Sequence, residues 1–517
     1  MKFSRLSWML TTVALIGALT GYYISIKLSD LAPSVPDFSA MLNEHANNEN
    51  LSFPEDAIKG EIVLHFKERG DFSAYLNELT RAGMQPLGQI DELLVIRISE
   101  AAYRRVDIDQ YNPSASYNYR VERPLPPFKT NPYSLTNLVA YDESARLVTG
   151  SAFAGSGEGV LVAVLDSGIM SHPYFDDVST LHINLAGGNM AGLGAAHGNS
   201  VASIITGSEG IAVDAELLVV RVLDDEGLGN SYHVSQGIVE SVDLGAEIIN
   251  MSLGLYQDSP LLRQAVAYAH ERGVLMVAAA GNDGYDGLPY PAAYPDVLSV
   301  TAVDGLNRHA LFPNKSYSID FAAPGVGILT AKEDEGTVLF SGTSAAAPFV
   351  TGTLAALISG DRALPPKQAV QLLMRILNDQ GAPGKDSVYG SGLLDWDRLR
   401  ERFNTDLLDV AIADIYLSSE AKPGTTMPIE VTVQNRGTRW LDSAQLEVFI
   451  NREDPRSFTL GALSPGQITS RKIFTPIPRL DKEEKLRVGA QVFSKEFQED
   501  IRPENNIKSI SFGLSIR

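Results

Sequence analysis

The chain has 517 residues, 44% of them hydrophobic, enough for a sizeable core divided among two to four domains. A net charge of −21 excludes a nucleic-acid binder, because no long basic patch exists to neutralise phosphates. The absence of cysteine excludes disulfides, thiol nucleophiles and thiolate metal sites, and leaves the compartment open.

Lys2 and Arg5 precede an uncharged apolar run, Trp8 to Ile26. A positive flank before such a run marks an export segment. Its length is near the ~20 residues that span a bilayer, so residues 1–28 read either as a cleaved signal or as an uncleaved membrane tether through residues 8–26. Both readings put the remainder outside the cytoplasm. Residues 29–57 are polar, carry Pro33, Pro36 and Pro54, and read as a linker. Residues 58–122 then alternate strand, helix, strand, helix, strand: Glu61–Phe66, Asp71–Ala82, Leu93–Ile98, Glu100–Asp107 and Ser116–Val121. This is a small α+β unit. Arg123-Pro124-Leu125-Pro126-Pro127 follows as an exposed proline-rich joint.

Residues 123–404 change character. Val160–Asp166, Leu217–Val222, Ile248–Leu253, Val274–Ala280 and Val297–Val303 are nearly continuous apolar runs, with helical segments at Ser200–Thr206, His233–Leu244 and Pro260–Arg272. Such alternation predicts an α/β, doubly wound, mostly parallel sheet, with its site at the carboxyl ends of the strands. Residues 405–517 hold six short alternating runs and no helix, which predicts an all-β sandwich of immunoglobulin-like size.

Three local patterns carry chemistry. Asp166 ends the first apolar run, in Val164-Leu165-Asp166-Ser167-Gly168. His197 opens His197-Gly198-Asn199-Ser200-Val201-Ala202. Ser344 stands in Ser341-Gly342-Thr343-Ser344-Ala345-Ala346-Ala347-Pro348, at the first turn of a buried helix, where backbone N–H groups lack intrahelical partners. An Asp fixes one imidazole nitrogen, the other nitrogen takes the serine proton, and Asn282 in Ala280-Gly281-Asn282 presents an amide to the oxyanion. Each residue alone has an ordinary reading as a turn former or cap. Pro348 is compatible with a helix only near its start. The glycine-rich Gly155–Gly159 precedes its strand rather than following it, unlike a nucleotide-binding loop.

Taken together, residues 130–400 resemble the subtilisin-like serine endopeptidases. The order Asp, His, Ser is that family's order. Asn250-Met251-Ser252-Leu253-Gly254, Ala279-Ala280-Gly281-Asn282, Ala323-Pro324-Gly325 and Tyr389-Gly390-Ser391-Gly392-Leu393-Leu394 resemble its further landmarks. The resemblance implies Ser344 as nucleophile, His197 as general base and acid, Asp166 as orienter, and an oxyanion hole from Asn282 and the Ser344 N–H. It implies peptide binding by added strands along Leu228 and Gly229 and along Ser252, Leu253 and Gly254. No catalytic cofactor and no metal ligand set is implied. A structural calcium is left open, although the short segment Thr206–Val213 lacks the longer calcium loop of many relatives. The α+β unit resembles the family's inhibitory propeptide, whose tail lies in the site until cut between about Arg120 and Ser134. Self-processing would leave Ser344→Ala about 13 kDa longer than wild type, at roughly 110 Da for each of some 120 residues. The C-terminal sandwich resembles CARDB-like immunoglobulin-fold modules through Asp409, Gln434-Asn435-Arg436-Gly437 and Glu504-Asn505-Asn506. The implied function is an exported endopeptidase acting on polypeptides, freed by propeptide removal. The competing expectation is an inactive binding or adhesion protein of the same fold.

Overall fold

The structure is a computed structural model describing residues 53–125, 138–141, 155–190, 192–332, 335–360, 364–418, 425–451, 454–476, 486–494 and 499–512. The expected signal or anchor, most of the linker and residues 126–127 of the proline-rich joint lie outside these residues.

The N-terminal unit comprises β1 (Ala57–His65), α1 (Arg69–Arg81), β2 (Gly88–Ile90), β3 (Val95–Ser99), α2 (Glu100–Arg105) and β4 (Ser114–Glu122). α1 buries Phe72, Tyr75 and Leu79, three positions spaced to share one helical face. β1 starts at Ala57 rather than 61, across an irregularity in its pairing with β4 between Ala57 and Ile62. β2 is an additional strand. Its three residues are too few to show a period.

The central region holds β5 (Leu161–Asp166), β6 (Thr180–Asn184), α3 (Ala196–Ile205), β7 (Glu216–Arg221), β8 (Leu228–Asn230), α4 (Ser231–Asp243), β9 (Ile248–Met251), α5 (Pro260–Glu271), β10 (Leu275–Ala279), β11 (Leu298–Val303) and β12 (Phe321–Pro324). The β13–β14 hairpin (Ile328–Ala331, Thr337–Phe340) follows, then α6 (Thr343–Gly360), α7 (Pro366–Arg375) and α8 (Trp396–Glu401). Seven parallel strands form one sheet in the order β12-β11-β10-β9-β5-β7-β6. The five expected strands are its centre, where both faces are covered and apolar runs are continuous. β6 and β12 are edges and lack that signal. Chain order reverses at β5, so Asp166 stands at the switch point where open α/β sheets form their crevice. Among the described residues, α6 alone is long and apolar enough to cross a membrane, and 89% of that stretch is buried, as in a core helix.

The sheet of the N-terminal unit does not end at its own boundary. Its order is β2-β3-β1-β4-β8, so β8 of the central region is its fifth strand. Asn118 of β4 also caps α4, accepting from Ser231 Oγ and Tyr232 N, each at 3.0 Å.

At the C-terminus, β15 (Val410–Leu417), β16 (Thr426–Asn435), β17 (Ala444–Ile450), β18 (Arg456–Leu460), β19 (Ile468–Pro476), β20 (Leu486–Ser494) and β21 (Ile507–Phe512) form two antiparallel sheets, β15-β16-β19 and β18-β17-β20-β21. Their inward aliphatics make a separate core. The six expected strands are present, with β18 added. The Asp409 motif is a structural latch: its buried carboxylate accepts from Arg502 Nη1 at 2.7 Å and Asn505 Nδ2 at 2.9 Å.

Candidate active site

Asp166 ends β5 and is 1% exposed. Its Oδ1 accepts from the Ser167 N–H at 2.7 Å, and both carboxylate oxygens lie 2.9 Å from His197 Nδ1. His197 stands in the first turn of α3. The glycine after it is a steric requirement, because a Cβ on Gly198 would sit 1.9 Å from the Gly168 carbonyl oxygen. The His-Gly pair therefore lets α3 close onto the strand end that carries the carboxylate. Arg221, fully buried at the end of β7, donates to the Ser167 carbonyl and to Gly187 O, and fixes the loop behind Asp166.

Ser344 is the second residue of α6. Pro348 lies deeper in this helix than expected, as its sixth residue, and it lacks the N–H that would bond the Ser344 carbonyl. The freed carbonyl accepts instead from Ser252 Oγ at 3.2 Å. Ser252 is held by Asn250 Nδ2, and Asn250 Oδ1 accepts from Thr351 Oγ1 of α6. Ser252 thus anchors the helix that carries Ser344. Leu253 is buried.

Asn282 has a defined amide orientation. Its Oδ1 accepts from the Thr343 N–H at 2.9 Å and Thr343 Oγ1 at 3.0 Å, which leaves Nδ2 to point out. Gly342, at φ +140°, makes room for that amide: a Cβ there would lie 2.9 Å from Asn282 Nδ2. Nδ2 donates to the Leu125 carbonyl at 3.0 Å.

That carbonyl belongs to the tail of the N-terminal unit. β4 pairs antiparallel with β8, Arg120 facing Asn230, Val121 facing Gly229 and Glu122 facing Leu228. On the other side Glu122 exchanges both backbone hydrogen bonds with Gly254, at 3.0 and 2.9 Å, and the Arg123 N–H donates to Gly227 O. Leu228, Gly229 and Gly254 therefore flank one extended peptide as neighbouring strands. Arg123–Leu125, expected as an exposed joint, continue along this cleft.

His197 Nε2 and Ser344 Oγ are both buried and, among the described residues, have no hydrogen-bond partner. They line one cavity of about 600 Å³ with Asn282, Pro124 and Phe340. The Phe340 ring stands edge-on to His197 at 5.4 Å. Buried polar atoms are normally paired, so two orphans on one cavity mark a place built for a reacting partner. A second hollow of about 200 Å³ is lined by Leu125, Gly254, Leu255, Gly281 and Pro289.

Several contributors escaped sequence reasoning. Thr343 orients Asn282, Arg221 braces Asp166, Pro289 packs beside Gly254 and Phe340 edges His197. Arg221 did leave a sign, as a lone cation closing a buried apolar strand. For metals, no described group of three or more acidic or histidine side chains is placed to hold an ion. The loop at 206–213 is closed by its own bonds, Ile211 N to Ile204 O and Ala212 N to Ile205 O, and Glu209 is its one carboxylate. That donor set does not fit a calcium site.

The subtilase family model matches residues 157–392, and the CARDB model matches residues 407–509. The alkaline protease of Alkalihalobacillus alcalophilus is 31% identical over 389 residues, 73% of this chain and 96% of that protein. Subtilisin BL of Lederbergia lenta is 36% identical over 249 residues, 46% of this chain and 90% of its own. The crystal structure of fervidolysin from Fervidobacterium pennivorans, a keratinolytic enzyme related to subtilisin, aligns over 89% of this chain and 77% of its own, with a TM-score of 0.57 and 20% identity, a likeness of fold. The chain belongs to the subtilase family, as a subtilisin-like serine endopeptidase with a CARDB domain C-terminal to its catalytic domain.

Proposed function

We propose that Asp166, His197 and Ser344 carry the peptidase reaction, with Asn282 as oxyanion donor. Ser344 Oγ attacks the scissile carbonyl carbon while its proton passes to His197 Nε2. Asp166 holds the opposite N–H and steadies the imidazolium. Charge growing on the carbonyl oxygen is met by Asn282 Nδ2 and by the N–H groups at the start of α6. His197 then protonates the leaving nitrogen, the C–N bond breaks, and water hydrolyses the acyl-enzyme. The observation supporting these roles is the amide of Asn282 donating to a peptide carbonyl beside the unpaired His197 Nε2 and Ser344 Oγ.

Substrates bind extended between Leu228-Gly229 and Gly254, by main-chain bonds indifferent to most side chains. The residue before the cut faces the hollow of Gly254, Leu255, Gly281 and Pro289. These walls favour an aliphatic side chain of leucine size. The N-terminal unit acts as a propeptide whose tail fills the groove, and the chain acts outside the cytoplasm after export by its N-terminal segment. No catalytic cofactor takes part.

A fluorophosphonate probe and a leucine-containing peptide test the assignment. A single adduct on Ser344, lost in Ser344→Ala together with hydrolysis, is the expected outcome. A folded, groove-free chain that takes no label favours the binding-protein reading instead.

A further inference from the structure

We infer that the cavity between α7, α8 and the CARDB domain is a binding site for an aliphatic carboxylate, a small molecule whose single carboxylate sits on a hydrocarbon body.

The cavity holds about 630 Å³, the size of an ordinary small-molecule site, and shares no lining residue with the cavity at Ser344. One wall comes from the end of α7, the loop after it and α8. The other comes from the CARDB domain, where Gln434, Arg436 and Gly437 belong to the motif that likened this domain to its family.

The charge of these walls is unusual for the molecule. In a chain of net charge −21, four arginines, Arg375, Arg398, Arg402 and Arg436, line the cavity against two acids. Neither acid answers them. Glu401 accepts from Arg502 Nη2 at 2.6 Å. Asp379 is 4% exposed, its Oδ1 accepts from the Gly384 N–H at 2.9 Å, and its Oδ2 has no partner among the described residues. Burial, with Asp386 and Asp414 nearby, pushes its pKa up to about 7 against the Gly384 N–H and the Arg436 charge, so it is partly neutral at pH 7. Arg398, 6% exposed, donates to backbone carbonyls and to Asn378 Oδ1, and no described carboxylate pairs with it. Arg436 Nε donates to Gln434 Oε1 at 3.2 Å, and among the described residues its two terminal nitrogens make no bond.

Two adjoining guanidinium groups without a counter-ion are costly to bury. A carboxylate on the Arg436 fork supplies one, through two parallel hydrogen bonds. A single negative charge fits better than two, because the Asp386 and Asp414 carboxylates that raise Asp379 also repel a phosphate dianion. Leu372, Ile376, Leu377, Leu407, Pro465 and Ile468 supply apolar wall for an aliphatic body. Peptide hydrolysis makes molecules of this kind, since every cut leaves a new carboxyl end. Free aliphatic acids share the chemistry.

The test is titration calorimetry on the full-length Ser344→Ala chain, which cannot consume a peptide. The probes are acetyl-Leu-Leu, its C-terminal carboxamide, octanoate and inorganic phosphate. Acetyl-Leu-Leu should bind at one site with a Kd on the order of 100 µM, and the carboxamide at least about tenfold more weakly. Adding Arg436→Gln should cause the same loss in a chain that still folds. Binding of the peptide but not octanoate assigns the site to peptide ends, and binding of octanoate assigns it to free acids as well or instead; each supports the inference. Failure of both carboxylates to bind, a carboxamide as tight as the acid, phosphate tighter than either carboxylate, or unchanged affinity with Arg436→Gln overturns it. If Arg436→Gln does not fold, Ile468→Trp, which fills the cavity and leaves every cation in place, should abolish binding, and retained affinity there overturns the inference.

Discussion

The catalytic domain is gripped at two ends by different chemistry. The N-terminal unit attaches by strand edges and neutral hydrogen bonds: β4 on β8, Asn118 on α4, and His65 bridging Ser116 and Gln264 of α5 at 2.8 and 3.3 Å. The CARDB domain attaches by buried charge and amide. Arg502 joins Glu401 to Asp409, Arg398 donates to the carbonyls of Ile376, Leu377 and Arg436, and Gln434 donates to Leu377 O. The first attachment crosses the mouth of the active site. The second lies around α7 and α8, away from it. The contrast accords with the proposal that the N-terminal unit leaves while the CARDB domain stays.

The largest effect that sharpens this contrast is chemical. Ser344→Ala should cost roughly a millionfold in kcat while leaving both attachments and the melting temperature near wild type. Peptide hydrolysis read beside thermal unfolding checks it.

Next comes the CARDB latch. Arg502→Ala strips a buried carboxylate, Asp409, of its cation and should destabilise the chain by about 3–5 kcal/mol. Denaturant unfolding measures this, and hydrolysis per folded molecule should be unchanged. A large loss of activity would mean that the two ends are not independent.

The attachments should also respond to pH with opposite sign. Burial lowers the His65 pKa from 6.5 to about 4, so the folded contact holds the neutral ring. Its contribution is full above pH 6.5 and is lost as pH falls towards 4. Burial raises Asp379, at the CARDB junction, from 3.8 to about 7. The native state keeps a proton that the unfolded chain releases, so stability from this group is present below pH 3.8 and lost as pH rises through 7. Melting curves from pH 4 to 8 should lose the acid-side slope in His65→Gln and the alkaline-side slope in Asp379→Asn. The smallest effect belongs to Arg439, whose partners Asp406 and Glu499 are 77% and 61% exposed. Arg439→Ala should shift stability by no more than about 0.5 kcal/mol, read from the same melts.

The centre of the sheet was legible in the sequence because buried parallel strands are apolar throughout. β2, β6, β12 and β18 were not, since edge position and short length erase the pattern. The motifs around Asp166, His197, Asn282 and Ser344 stood out through small residues, and Gly198 and Gly342 show why: each is a point where a Cβ would strike the partner. Ser252 was expected in a stretch that pairs with peptide through its main chain, and its hydroxyl has a separate duty, securing the Ser344 carbonyl. That duty arises because Pro348, far away in sequence, frees the carbonyl. The joint at Arg123–Leu125 reads in sequence both as an exposed proline-rich stretch and, through the propeptide resemblance, as a tail lying in the site, and Leu125 is 46% exposed while its carbonyl meets Asn282. Its place in the groove depends on β8 and Gly254, and strand pairing over such distances leaves no local signature.

The most direct single measurement is mass mapping of the fluorophosphonate adduct on chain freed of its N-terminal unit. One adduct, on Ser344, abolished by His197→Ala as well as by Ser344→Ala, is the predicted result. An adduct on another residue, or full labelling of Ser344 when His197 is removed, would contradict the account.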